Sequence, residues 1–461
     1  VKVHILAPTV LNPAVGKGGT TLYRSVAVAA GRHASTTVYE IAPPLPAGSP
    51  RWAGGGVSVV SCDTPAEVRT ELCRRVGPRD TVLKWAGALG GGGEGDWAAD
   101  LWVGELASRV DGVRCWYLDA DAPFRLPLLN GRHHLGPALR AFDGVLLFAG
   151  GQRAVDGYTA LAGPGAVVRH VSPAMFAVSL MDVPVPPPAE SDLLVTVAAA
   201  SAREDRVAAA VRSWLATDPA LTLTLVGDWP ESSPLPNVRT HGLMDPTELF
   251  RRYQASRFTL NTLRGEFAGW TDTAAARIFE AALAGSVLVT EAFPGLDRYL
   301  TPRQECVVAE LPDVPAAIHM PEARRTAMAE RARRRVEEAA AEAEKEFITV
   351  IQATPPRPGR QAPSFRPADP ATVTVLPGVS AAFVARLRER LPAARFVPAD
   401  GEALVTTTAA KNRVDDELRA VGRIADVVYV EVTDRVSALG TRWIPGRDRT
   451  LDDDDRWPWI S

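Results

Sequence analysis

The sequence is poor in cysteine and lysine, has little aromatic content, and contains no long apolar run. The four cysteines in 461 residues, Cys62, Cys73, Cys115 and Cys306, match neither a zinc-site spacing nor a thioredoxin-like redox spacing. They exclude a disulfide scaffold and predict structural thiols in a reducing compartment. No apolar stretch reaches the roughly 20 residues a membrane-spanning helix requires. The chain opens on a strand-like run, and no basic-plus-apolar signal segment stands before it. A cytoplasmic protein with no membrane partner is expected. Neither sign of charge dominates: 51 Lys and Arg face 54 Asp and Glu, a net charge of -3. That balance argues against a protein that coats nucleic acid, although a local basic groove is compatible with it. Arginine outnumbers lysine, and Ala, Gly, Pro and Val are abundant, as in high-GC genomes. Apolar residues make up 46% of the chain, ample for sizeable cores. The length calls for two or three domains.

Strand signals at residues 3–7, 36–41, 57–61, 81–85, 114–118, 144–148 and 166–170 are interleaved with helix signals, at 21–30 and 97–110 most clearly. After a Pro-rich break at 184–188 the alternation restarts. Strands are expected at 193–197, 221–226, 258–261 and 287–290, and helices at 204–215, 246–254 and 273–284. Such alternation predicts parallel sheets covered on both faces. The fold class expected is α/β, two Rossmann-like domains facing a cleft with a small C-terminal α/β appendage. The boundaries expected are 1–183 for an acceptor domain and 189–352 for a donor domain, ending in a charged helix over 321–351. A Pro-rich linker at 353–370 and an accessory domain at 371–461 follow. The accessory domain is expected to serve self-association, as in a homodimer, or to shape the acceptor site.

The most informative stretch runs from Thr271 to Glu291. Asp272 and Glu280 are eight positions apart, which on a helix places both carboxylates near one face. Asp272 suits a helix start, where the dipole favours negative charge. A carboxylate two turns later can accept both hydroxyls of a ribose. Other candidates lie on turns that follow strands. Gly18 and Gly19, within Gly16-Lys17-Gly18-Gly19-Thr20-Thr21, let the backbone approach a phosphate or sugar. The order is neither a P-loop nor a dinucleotide fingerprint, and a tight strand-to-helix turn reads equally well. Arg203 and Arg206 follow the first strand of the second unit, and Arg forks suit phosphate oxygens. His241 and Gly242 precede a helix, while Asp119 and Asp121 follow a strand. The glycine-rich loop at 84–96 reads as a mobile lid or a plain surface loop. The Asp452–Asp455 run lacks the spacing of a calcium loop and reads as a solvated acidic tail.

The stretch from Asp272 to Gly285 resembles the donor-binding helix of two-Rossmann-domain (GT-B) glycosyltransferases, which carry an acidic residue, seven residues, then Glu. Arg277-Ile278-Phe279-Glu280 and Phe293-Pro294-Gly295-Leu296 resemble the spore maturation (CgeB-like) branch of that fold. Asp272 stands where most relatives have Glu. The resemblance implies a nucleotide-sugar donor bound by Glu280 at the ribose. It places Arg203 and Arg206 as the candidates at the diphosphate, His241-Gly242 at the base, and Gly18-Gly19 at the cleft; Arg277, three residues before Glu280, is available to the leaving charge or pairs with Glu280 instead. Asp119, Asp121 and Asp272 are the catalytic candidates. Asp119-Ala120-Asp121 also fits the metal-binding Asp-x-Asp of the other main glycosyltransferase fold. The two-unit organisation favours the metal-free alternative, so no metal and no cofactor are expected. The acceptor expected is a small, natural-product-like molecule, as in antibiotic biosynthesis. A surface glycan or a modified DNA base as acceptor, and an inactive nucleotide-binding scaffold, are the rivals. Retention of anomeric configuration is implied by the resemblance alone.

Overall fold

The computed structural model describes residues 2–7, 20–41, 52, 55–86, 96–126, 135–184, 190–197, 202–227, 237–242, 244–262, 270–358, 360 and 385, and five later strands. The first unit comprises β1 (Lys2–Leu6), α1 (Thr20–His33), β2 (Ser35–Ile41), β3 (Val57–Cys62), α2 (Pro65–Arg75), β4 (Thr81–Trp85), α3 (Asp96–Arg109) and β5 (Arg114–Asp119). It continues with α4 (Ala122–Arg125), α5 (Leu135–Leu139), β6 (Gly144–Leu147), α6 (Gly151–Ala162) and β7 (Val167–His170). Its strands form one parallel sheet in the order β3-β2-β1-β4-β5-β6-β7. Every residue of β4 and β6 is buried, as expected of strands covered on both faces. Gly144 is obligatory there, because a side chain would run into the Trp116 ring and the Val167 carbonyl.

The second unit comprises β8 (Ser191–Val197), α7 (Ala202–Thr217), β9 (Leu223–Gly227), β10 (Val238–His241), α8 (Pro246–Gln254) and β11 (Ser256–Asn261). It continues with α9 (Ala276–Ala284), β12 (Val287–Thr290), α10 (Leu296–Tyr299), β13 (Cys306–Val308), α11 (Val314–Ile318) and α12 (Glu322–Ala353). Its sheet is also parallel, ordered β10-β9-β8-β11-β12-β13. Both sheets reverse direction of winding beside their first strand, at β1/β4 and at β8/β11. Open parallel sheets bind ligands at the carboxyl side of such a switch point. A third sheet combines β14 (Thr372–Val375), β15 (Arg395–Val397), β16 (Ala403–Thr407), β17 (Val428–Val432) and β18 (Arg435–Ala438) in the order β15-β14-β16-β17-β18, with β18 antiparallel.

The two Rossmann-like units share a core. A 3-10 segment, Pro173–Leu180, packs against α1, α9 and α12. Arg24 of α1, itself buried, forms a partly buried ion pair with Asp245, the N-cap of α8, at 2.6 Å. Helix α12 begins in the second unit and ends on the first, where Arg114 donates to the Gln352 carbonyl at 2.6 Å. The stretch read as the start of a linker is therefore anchored: Arg360 pairs with the buried Asp143 at 2.9 Å and bonds the Val113 carbonyl. Pro-rich composition marks irregular backbone, and here arginines within it tie that backbone down.

Candidate functional site

The site is built where α9 meets α1 and α8. Helix α9 starts at Ala276, three residues later than the spacing predicts, because Asp272 adopts φ +55 and Ala275 is extended. Asp272 thus lies in the preceding loop and does not share a helix face with Glu280. The expected turn at the other end is present: Gly285, at φ +80, closes α9 and lets the chain enter β12, a conformation glycine adopts without penalty.

Glu280 is buried rather than open to the cleft, at 5% exposure. Thr21, Tyr253 and Arg277 lie close to its carboxylate. Burial pushes its pKa up, against the pull of those groups. Thr21 belongs to the first unit, so the carboxylate is flanked from both. Arg277 is half-buried; it lies near the Tyr253 hydroxyl and makes a long 3.5 Å contact with Asn261. Its Nε is buried without a partner. Asn261 in turn donates to Thr290 at 3.0 Å. The carboxyl ends of β11 and β12 are thus joined to α9 by one chain of polar contacts.

Asp272 serves the junction between the units. Its carboxylate takes Arg298 at 2.7 and 2.8 Å and the Tyr299 hydroxyl at 3.2 Å. Its carbonyl accepts the Gly150 N–H at 2.9 Å, and burial lowers the pKa of the nearby His170. Arg206, the fifth residue of α7, is held by both oxygens of Glu291, at 2.9 and 3.0 Å. Together they border a cavity of about 300 Å³ between α7 and residues 310–312. The Arg203 side chain and Gly18 and Gly19 lie outside the described residues, as does most of the glycine-rich loop. His241 ends edge strand β10, and Gly242 follows it, exposed. The His241 Nε2 is buried without a partner, and burial followed by the Arg252 charge lowers its pKa.

Asp119 ends β5 fully buried, and accepts the Tyr158 hydroxyl and, at 2.9 Å, the N–H of Asp121. Asp121 is exposed at the start of α4. This geometry makes Asp119 a strand-end brace. Asp119→Ala is expected to cost about 2–4 kcal/mol, since a buried hydroxyl loses its charged acceptor. The melting temperature should fall by roughly 5–10 °C while nucleotide affinity stays put; a variant as stable as the parent would refute the brace.

Tyr253 and Thr21 carry no distinguishing signal in the sequence. A lone tyrosine on an amphipathic helix reads as core, and Thr21 reads as an ordinary first-turn residue. Arg298 and Glu291 likewise look like surface charges until the fold pairs them with Asp272 and Arg206.

Residues 203–344 match the glycosyl transferase-like family. No curated protein matches the chain in sequence. Among solved structures, an α-glucosyltransferase in complex with UDP-glucose and DNA containing an abasic site is 11% identical, with a TM-score of 0.56 over 76% of this chain and 98% of that one. The pneumococcal O-GlcNAc transferase GtfA in complex with UDP and GlcNAc is 14% identical, TM-score 0.40, over 62% of this chain. This chain spans 59% of that protein. AviGT4, a glycosyltransferase involved in avilamycin A biosynthesis, is 15% identical, TM-score 0.44, over 77% and 97% of the two chains. The chain has the GT-B fold, with two Rossmann-like domains. The family match falls within its second domain.

Proposed function

We propose that the chain transfers a sugar from a nucleotide-sugar donor to a small, natural-product-like acceptor without a metal ion. The observation that carries this reading is the Glu280–Arg277 pair at the carboxyl side of the second sheet, inside the glycosyl transferase-like match. Glu280 would take the ribose hydroxyls. Arg277, with an unpartnered Nε, would face the diphosphate. Arg206 would exchange Glu291 for phosphate, with Arg203 beside it, and His241 and Gly242 would border the base. Negative charge grows on the leaving diphosphate, so preorganised N–H donors there lower the barrier. The closer resemblance to the CgeB-like branch rests on Arg277–Glu280 and Phe293–Leu296. Gly18 and Gly19 would line the cleft from the first domain, and residues 371–461 would support self-association or shape the acceptor site. Among the described residues no helix is long and apolar enough to cross a membrane.

The metal-free reading is supported by the way Asp119 and Asp121 are used: one Asp119 oxygen takes Tyr158 and the other the Asp121 N–H. Protein treated with EDTA is expected to keep its full transfer rate. Activity lost on chelation and restored by manganese would overturn this. A polymeric acceptor is the second reading, since the α-glucosyltransferase of like fold was solved with DNA; a net charge of -3 speaks for the small acceptor. Calorimetric titration with UDP, GDP and TDP tests the donor reading directly. Binding of at least one at micromolar concentration is expected, and no binding of any would refute it.

A further inference from the structure

We propose that Glu291 sets how tightly the donor is held, because its carboxylate competes with the donor diphosphate for the Arg206 guanidinium. The inference rests on the donor reading above, with Arg206 at the diphosphate, and adds to it a residue that works against binding. Glu291 is the first residue after β12, and Arg206 lies on α7, which follows β8. Strand β11 stands between β8 and β12 in the sheet. The pair therefore spans the carboxyl ends of three neighbouring strands, beside the β8/β11 switch point where open parallel sheets take their ligands.

A guanidinium presents parallel N–H groups as a fork, and a carboxylate and a phosphate both fit it. Here Nη1 bonds Oε1 at 2.9 Å and Nη2 bonds Oε2 at 3.0 Å. Glu291 thus uses the same fork that a pair of phosphate oxygens would use. The two partners differ in freedom. The Glu291 side chain is 11% exposed and that of Arg206 51%. The Thr290 hydroxyl donates to the Glu291 carbonyl at 3.0 Å and accepts from Asn261 at 3.0 Å, which pins the backbone of Glu291 to β11. The guanidinium, on its long stem, is the part that swings. A carboxylate left dry and unpaired by that swing would hold the arginine back. Glu291 instead borders the cavity of about 300 Å³ between α7 and residues 310–312, where water can solvate it. The exchange is then one ion pair for another, and the diphosphate carries the larger charge. The carboxylate stays close to the guanidinium, however, and repels the phosphate that has taken its place.

The test uses the full chain and its Glu291→Gln, Glu291→Ala and Arg206→Ala variants, each titrated calorimetrically with UDP, GDP and TDP. Glutamine keeps an oxygen for Arg206 and removes the charge, whereas alanine removes both. For the diphosphate that the parent binds, both Glu291 variants should bind at least about threefold more tightly, a modest gain because Arg206 is half exposed. The gain should shrink as salt is raised, since it is electrostatic. Arg206→Ala should bind the same diphosphate about fivefold or more weakly. A carboxylate that merely braced the site would give the opposite sign, with weaker binding in both Glu291 variants. Unchanged or weaker binding in Glu291→Gln, or a gain indifferent to salt, would overturn the competition and leave the donor reading standing. Unchanged affinity in Arg206→Ala would remove Arg206 from the diphosphate and this inference with it. A parent that binds none of the three would overturn the donor reading itself.

Discussion

Glu280→Gln is expected to weaken nucleoside diphosphate binding about tenfold or more and, in the same protein, to raise the melting temperature of the ligand-free chain. The affinity loss follows from the charge. Hydrogen bonds to an ionised group are worth roughly 1.5–3 kcal/mol, and about 1.4 kcal/mol is one decade. The stability gain follows from burial. Glu280 sits at 5% exposure, and its pKa is raised first of all by desolvation. A carboxyl whose folded pKa lies above its unfolded value favours the folded state less once it ionises. The penalty is fully present above the raised pKa and vanishes as the pH falls below the ordinary carboxylate range. Glutamine removes it while keeping the shape. Thermal melts of both proteins from pH 8 down to pH 4 should show the variant ahead at neutral pH and the gap closing in acid. Calorimetric titration supplies the affinities. Equal affinity in the two proteins would place the ribose elsewhere, and a variant less stable at pH 8 would mean that the carboxylate's partners outweigh its desolvation.

That opposition is why the residue was legible while its setting was not. The spacing from Asp272, the Ala284-Gly285 turn and the following apolar strand are local features, and a helix and strand can be read from them. The alternation that fixed both parallel sheets is local in the same sense: β4 and β12 fall at 81–85 and 287–290, where their apolar runs place them. Edge strands β10 and β13 are short, four and three residues, and carry too little pattern to be seen. The contacts that bury Glu280 come from residues 259 and 27 positions away, Thr21 and Tyr253, and depend on how the two domains meet. Nothing periodic encodes that. Asp272 shows the limit most clearly. Its spacing matched a helix position, but its left-handed backbone and its Arg298 partner belong to the junction.

Gly151→Ala is expected to cut kcat/KM by about a hundredfold. Gly151 starts α6 of the first domain at φ +54, and a Cβ there would lie 2.6 Å from the Asp272 carboxylate and 2.6 Å from the Thr271 hydroxyl of the second. The Asp272 carboxylate cannot easily retreat. Asp272 is held by Arg298 and Tyr299, and its carbonyl by the neighbouring Gly150 N–H. The left-handed backbone costs an alanine roughly 1–2 kcal/mol, and forced overpacking about 1–3 kcal/mol more. The cheapest relief is for the domains to part at this point. That shifts the loop leading into α9, and with it Arg277 and Glu280, relative to the first domain. A misplacement of about 1 Å at a reacting centre costs on the order of a hundredfold. Gly150→Ala is the matching control. Gly150 also has a positive φ, +98, but its Cβ would meet Ala154 and Pro123 of its own domain. It should lower the melting temperature comparably and leave turnover of the folded fraction within a few-fold of the parent. Steady-state rates and thermal melts on the two variants separate the cases, and equal rates for both would mean that contact at this junction does not set the geometry of transfer.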